Sequence, residues 1–83
     1  MGRLSMTFEF DPSVDAAYVR LRPGVARAFG QNLDDARYID FGADNLPIGI
    51  ELLRVSKGVD TSDLPERAAV EQILADHGIP VFA

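Results

Sequence analysis

Cysteine and tryptophan do not occur in this 83-residue chain, and lysine occurs only once. Without cysteine, the fold has neither a disulfide nor a thiolate metal site to compensate for a small core. No apolar run approaches the roughly 20 residues that a membrane-spanning helix requires. Residues 1–5 are not followed by the apolar stretch of a signal peptide. We therefore expect a cytoplasmic protein that has no membrane contact.

Positive charge is also scarce. The chain has thirteen acidic and eight basic residues, which gives a net charge of −5. No cluster of lysine or arginine is present to hold a phosphate backbone. We therefore expect no direct contact with nucleic acid, whereas a basic protein partner is compatible with this charge.

Motifs that bind cofactors or metals are missing as well. The glycines are isolated from one another, so no phosphate-binding loop is predicted. Acidic residues near the turns, such as Asp11 and Asp44, lack the spacing of a calcium loop and are good turn formers themselves. The only histidine, His77, precedes Gly78, a position typical of the last turn of a helix. We expect no metal, no cofactor and no catalytic residue.

The residues that are present alternate between apolar and polar over most of the chain. Residues 6–10 and 17–22 alternate on either side of a turn at 11–15, which predicts a hairpin. In the expected register, Phe8 faces Val19, Phe10 faces Ala17, and Glu9 lies opposite Tyr18. Weaker alternation predicts a third strand within residues 25–32.

A second hairpin is predicted between residues 36–41 and 48–53, which flank a turn at 42–47. Its register is open by two residues. Either Tyr38 or Asp40 lies opposite Glu51, and the first is favoured because the second places like charges together.

The period changes to that of a helix over residues 64–77. Asp63 and Glu66 resemble a capping box, Pro65 is tolerated in the first turn, and Gly78 is expected to end the helix. Residues 79–83 form an apolar tail, which either docks on the core or adds an edge strand.

These elements predict one α+β domain over residues 1–83, with a strand-rich part at 6–55. About five mainly antiparallel strands carry one amphipathic C-terminal helix packed on one sheet face. The residues expected on that covered face are Phe8, Phe10, Val19, Leu21, Ile39, Phe41, Ile48 and Ile50.

The opposite face mixes charges with tyrosines and is the candidate binding surface. Glu9 or Asp40 together with Glu51 could serve as an acid and base pair, but the sequence predicts no cleft around them. We therefore favour binding over catalysis. The candidate residues on this face are Glu9, Tyr18, Arg20, Arg22, Tyr38, Asp40 and Glu51.

A homodimer is also expected, because a core of this size is near the lower limit for an isolated domain. Arg20 and Arg22 could pair with Glu9 and Glu51 across a two-fold axis. The side chains that the second copy is expected to bury are Tyr18, Tyr38, Leu53, Val81 and Phe82.

Three segments, FDPSVDAAYVRL, YIDF and IGIELLRVS, resemble a family of short bacterial proteins catalogued as domain of unknown function 2283. The resemblance covers roughly residues 6–57. It implies a small strand-rich fold and no established activity. Since some members of the family are encoded beside small toxins, it also implies a protein partner encoded nearby.

Residues and resemblance together favour a non-catalytic protein-interaction or regulatory module. One alternative is an antitoxin-like partner of a small basic toxin. Another is a small hydrolase-type enzyme that uses the carboxylates of the sheet face.

Overall fold

The computed structural model describes residues 6–82. Five antiparallel strands form one sheet in the order β1-β2-β5-β4-β3. One C-terminal helix follows, so the predicted α+β fold is confirmed. The strands are β1 Thr7–Asp11, β2 Ala16–Arg20, β3 Phe29–Asn32, β4 Arg37–Phe41, β5 Pro47–Leu53, β6 Val59–Asp60 and β7 Val81–Phe82; the helices are a 3₁₀ turn at Val55–Lys57 and α1 Arg67–Asp76.

Both predicted hairpins form in the expected register. In the first, Phe8 lies opposite Val19. In the second, Tyr38 lies opposite Glu51, which is the register that avoids like charges. The pairing of β2 with β5 at the centre of the sheet joins the two hairpins and places Tyr18 opposite Glu51 as well.

The third strand is shorter than predicted. Its expected span began at residue 25, but β3 begins at Phe29. Pro23 has no amide hydrogen to donate to a neighbouring strand, and Gly24 adopts a left-handed conformation with φ 88°. The chain therefore leaves the sheet after β2 and returns where the Ala28 amide donates to the Phe41 carbonyl.

The core lies between the sheet and α1. Val70 and Leu74 of the helix are fully buried against β2 and β5 residues such as Val19 and Ile50. One residue expected on the covered face is an exception. Phe10 has the right parity but is 45% exposed, because it lies on edge strand β1, next to which no further strand pairs within residues 6–82.

The helix begins later than predicted. The capping box is wrong, because Asp63 and Glu66 both adopt left-handed conformations and no side chain caps the first turn. Pro65 disfavours helical geometry at the residue before it, so Leu64 packs into the core ahead of the helix instead.

The end of the helix is as predicted. Gly78 has φ 72°, and its amide donates to the Ala75 carbonyl at 3.0 Å. The next amide, of Ile79, donates to the Leu74 carbonyl at 2.9 Å, which completes a Schellman motif. Leu74 and Ile79 are both buried in the core cluster, so packing holds this end in place.

The apolar tail forms a short edge strand, one of its two predicted alternatives, but not on the main sheet. β7 pairs in parallel with β6 in a separate two-stranded sheet. The Phe82 ring lies over Gly58, where a Cβ would stand 2.7 Å from the ring. Residue 83 lies outside the described residues.

Arg37 ties this small sheet to the main one. It lies on the covered face of β4 with only 9% of its surface exposed. Its guanidinium donates to the carbonyls of Asp60 and Ser62 and forms an ion pair with Asp34. None of the helices within residues 6–82 has the length and apolarity needed to cross a membrane.

Candidate functional site on the polar sheet face

The central pairing of the sheet brings six of the seven candidate residues onto one face. Glu9, Tyr18, Glu51 and Tyr38 form a row across β1, β2, β5 and β4. The neighbouring row contains Arg20, Gly49, Asp40 and Gly30.

Arg22 is the candidate that does not join them. It follows the end of β2 and pairs with Asp44 in the β4–β5 turn at 3.0 Å. Hydrogen bonds from Arg22 and the Leu46 amide lower the pKa of the Asp44 carboxyl. Arg22 and Asp44 therefore stabilise the turn.

Both tyrosines lie flat across glycines of the neighbouring strands. The Tyr18 ring covers Gly49, and the Tyr38 ring covers Gly30. A Cβ at either glycine would overlap the phenol ring above it. Because Gly49 and Gly30 have no side chains, the Tyr18 and Tyr38 rings can pack directly on the backbone of the neighbouring strands.

The Tyr18 ring reaches Asp40, which becomes the centre of a hydrogen-bond network. The Tyr18 hydroxyl donates to Asp40 Oδ2 at 2.8 Å, and Arg27 Nε donates to Asp40 Oδ1 at 2.8 Å. The Arg27 guanidinium also donates to the Tyr38 hydroxyl at 2.9 Å. Both Asp40 oxygens are thus occupied, and its side chain is only 15% exposed. We call these four residues the Asp40 network.

Sequence reasoning missed Arg27, although it completes this network. Its partner Asp40 is 13 residues away, so no local pattern marks the pair. Arg27 also falls within the predicted third strand, residues 25–32, where alternation places it on the same face as Phe29. Its true position follows from the excursion after Pro23, which moves the backbone out of the sheet.

The network changes the chemistry of Tyr18. Burial, followed by the hydrogen bond to Asp40, raises its pKa to about 12. The hydrogen bond to Asp40 likewise raises the pKa of Arg27. On the exposed side of the ring, the Arg20 guanidinium lies 5.1 Å from the ring centroid, within range of a cation–π contact. Tyr18 is consequently held as a neutral hydrogen-bond donor.

The other carboxylates of this face are arranged differently. Glu9 and Glu51 flank Tyr18 from β1 and β5. Within residues 6–82, neither side chain takes part in a hydrogen bond or an ion pair. Both residues are exposed.

Glu9 and Glu51 border a shallow hollow of about 270 Å³. Val14, in the β1–β2 turn, lines its edge and is 65% exposed. We call this the acidic hollow. Its lining residues are Glu9, Phe10, Asp11, Val14, Ala16, Ala17, Tyr18 and Glu51.

The hollow lacks the features of an enclosed catalytic pocket. Its volume is below the roughly 300–1,000 Å³ of typical ligand pockets, and neither Asp40 nor Tyr38 lines it. Within residues 6–82, no three His, Cys, Asp or Glu residues are grouped so as to hold a metal ion. What the surface offers is two exposed carboxylates beside an aromatic ring and the exposed Val14 side chain.

The aspartates of the first turn have structural roles. Asp11 accepts hydrogen bonds from the amide and hydroxyl of Ser13 at 3.0 and 2.6 Å. Asp15, in a left-handed conformation, accepts from the amide and hydroxyl of Ser56 at 3.0 and 2.6 Å. The β1–β2 turn is thereby tied to the 3₁₀ turn after β5, in agreement with the interpretation of Asp11 as a turn residue.

His77 is likewise structural. Its Nδ1 donates to the Ile73 carbonyl at 2.9 Å, and its ring lies 4.4 Å from the Phe8 ring. The histidine therefore covers one side of the core at the end of the helix, as its position before Gly78 predicts.

Comparison with known proteins places the strands of this face within a recognised family. A family model described as "Protein of unknown function (DUF2283)" matches residues 7–56. Comparison with the curated proteins gives no match, and comparison with the solved structures gives none either. The matched span includes the Asp15–Ser56 connection, the Asp40 network and the acidic hollow, whereas α1 and β7 lie beyond it. This chain therefore belongs to the DUF2283 family.

Proposed function

We propose that this protein is a non-catalytic interaction module that binds a basic segment of a partner protein on its polar sheet face. One observation carries the proposal: Glu9 and Glu51 flank Tyr18 at the acidic hollow without any cationic partner in residues 6–82. The net charge of −5 adds a favourable long-range field for a basic partner.

The environment of the charged groups supports binding more strongly than catalysis. The charge of Asp40 is already neutralised by Arg27, and its other oxygen accepts a hydrogen bond from Tyr18. With a pKa of about 12, Tyr18 is a poor acid or base near neutral pH. Glu9 and Glu51 lie on strands two spacings apart, roughly 10 Å, and no enclosing wall surrounds them.

Exposed carboxylates beside an aromatic ring suit a lysine or arginine side chain. The carboxylates attract the charge, and the exposed Val14 side chain at the edge of the hollow suits the aliphatic stem. The Tyr18 ring itself already contacts Arg20 of the same chain. An antitoxin-like role toward a small basic toxin is one specific form of this proposal.

A homodimer remains a prediction. Val81 and Phe82 of β7 and Leu53 of β5 are exposed, as expected of surfaces that a second copy could cover. The pairing of Arg20 and Arg22 with Glu9 and Glu51 across a two-fold axis stays part of this prediction, although Arg22 also pairs with Asp44 within the chain.

The proposal is tested by isolating the partner and measuring its affinity. The tagged full chain captures proteins from the organism that encodes it, and each captured protein is purified and titrated by calorimetry. We expect a basic partner whose affinity falls at least about tenfold with Glu51→Lys, since reversing a charge at an interface costs roughly 1.4 kcal/mol or more.

Asp76→Lys is the matched control. It makes the same charge change on α1, on the opposite side of the sheet, and we expect it to leave the affinity within about twofold, as a distant rim charge does. A captured partner that is acidic, or that binds both variants equally well, would contradict the proposal.

A further inference from the structure

We infer that the partner segment binds as an added antiparallel or parallel strand on the free edge of β1, with Lys or Arg alternating with large apolar residues. This inference rests on the proposed function and specifies its geometry. It concerns the backbone of β1 as well as the charges beside it.

The outer edge of β1 carries no further strand within residues 6–82. β1 is the first strand in the sheet order and pairs only with β2 among the described residues. A strand at a sheet edge presents a row of backbone amide and carbonyl groups that can accept another strand. The five residues Thr7–Asp11 match the length of an ordinary strand partner.

The polar side of β1 selects basic residues. A residue of the added strand directly opposite Glu9 would have its Cβ about 5 Å from that of Glu9. A long basic side chain there reaches across Glu9 toward Tyr18, at the near side of the acidic hollow. The next position on the same side lies near Asp11, which also lines the hollow.

The other side of β1 selects apolar residues. Phe8 and Phe10 point to that side, and Phe10 is nearly half exposed at the uncovered edge. Because side chains alternate between the two faces of a strand, a segment that covers Phe10 while contacting Glu9 has alternating basic and apolar residues.

Charge disfavours a second copy of β1 in the symmetric register as the occupant. A two-fold axis through the centre of β1 would place Glu9 opposite Glu9, and like charges directly opposite one another are destabilising. The opposite edge of the sheet is less suitable for a basic strand, because β3 consists of Phe29–Asn32 and has no acidic residue.

Three synthetic peptides test the inference against the full chain. The first is a nine-residue peptide that alternates Lys and Ile. The second has the same sequence with its central amide nitrogens methylated, which removes backbone donors but keeps the charge. The third has the same composition with the lysines grouped in one block. Affinities are measured by fluorescence anisotropy, and amide hydrogen exchange is followed in β1 and β3.

We expect the alternating peptide to bind and the other two to bind at least about tenfold more weakly. Its binding should slow amide exchange in β1 but not in β3, and Glu9→Lys should weaken it while Asp76→Lys does not.

The other outcomes would overturn the inference in distinguishable ways. Equal binding of all three peptides, weakened by Glu51→Lys, would leave the recognition of basic segments standing but exclude an added strand. No binding of the alternating peptide below about 1 mM would exclude the edge site, while partner capture decides the proposed function separately. A dimer in light scattering that dissociates on Phe10→Ser would assign the edge to a second copy.

Discussion

The Asp40 network and the acidic hollow lie side by side on one sheet face, yet their carboxylates are in opposite situations. Asp40 is mostly buried and bonded through both oxygens to Arg27 and Tyr18. Glu9 and Glu51 are exposed and have no such partner within residues 6–82. Acidic residues on one sheet face therefore need not share a role. Asp40 holds Tyr18 and Arg27 in place, whereas Glu9 and Glu51 remain exposed.

The largest effect on stability is expected from adding a side chain at Gly49, under the Tyr18 ring. In Gly49→Ala the new methyl group would overlap the phenol ring, so the ring must move and its bond to Asp40 breaks. We expect the free energy of unfolding to fall by about 1–3 kcal/mol, as for overpacking at other sites. Urea denaturation measures this change.

A double-mutant cycle provides the control for this prediction. In a Tyr18→Ala background the ring is gone, so adding Gly49→Ala should cost much less. If Gly49→Ala lowers the free energy of unfolding equally in both backgrounds, the methyl group strains the backbone itself and the Tyr18 ring does not pack on Gly49.

A smaller effect is expected from Asp40→Asn. The amide keeps the shape of the carboxylate but loses its charge-assisted bond to Arg27. We expect a loss of about 1–2 kcal/mol in the free energy of unfolding, and not more, because Arg27 is half exposed and its charge is screened. Asp76→Asn on α1 is the control and should change the free energy of unfolding by less than about 0.5 kcal/mol. Comparable losses in both variants would mean that the bonds of Asp40 add no more stability than an exposed aspartate does.

The titration of Tyr18 sharpens the comparison further. Its pKa in the folded protein is raised to about 12 from the usual 10. The folded state thus holds this proton more tightly than the unfolded state, so the stability it contributes is fully present below pH 10 and is lost as the pH rises toward 12. Near-ultraviolet absorbance of ionised tyrosine follows the titration.

Asp40→Asn should lower this pKa only in part, because burial is the largest cause of the shift and remains in the variant. A Tyr18 that titrates near 10 in the unsubstituted protein would contradict the bonded geometry of the Asp40 network.

Much of the fold could be predicted because its pairings are local. Alternation on either side of a short turn fixes the register of each hairpin, and the like-charge conflict at Glu51 selects between the two options for β4 and β5. The central pairing of β2 with β5 joins residues far apart in the chain, and nothing in either strand signals it.

The sequence predicts which sheet face carries the candidate residues, but it does not predict which of them contact one another. Parity alone places Tyr18, Asp40 and Glu51 on the same side of the sheet. Which of these carboxylates is neutralised depends on Arg27, and its position follows from the excursion of the chain after β2. The helix start differs from the prediction for a related reason. Asp63 and Glu66 are residue types typical of a cap, but both adopt left-handed conformations around Pro65.

The smallest effect on stability is expected at the acidic hollow. Glu9→Gln and Glu51→Gln remove exposed charges that have no partner in residues 6–82, so each should change the free energy of unfolding by less than about 0.5 kcal/mol. A loss comparable to that of Asp40→Asn would reveal a structural role for these glutamates.

The most direct test measures the affinity of the captured partner for Asp40→Asn and Glu51→Gln. Both variants replace a carboxylate by an amide, and we expect both to fold. We expect Glu51→Gln to weaken binding by at least about fivefold, roughly 1 kcal/mol, and Asp40→Asn to weaken it by less than about twofold. A partner that loses affinity with Asp40→Asn and binds Glu51→Gln unchanged would contradict the assignment of the exposed glutamates as the binding groups.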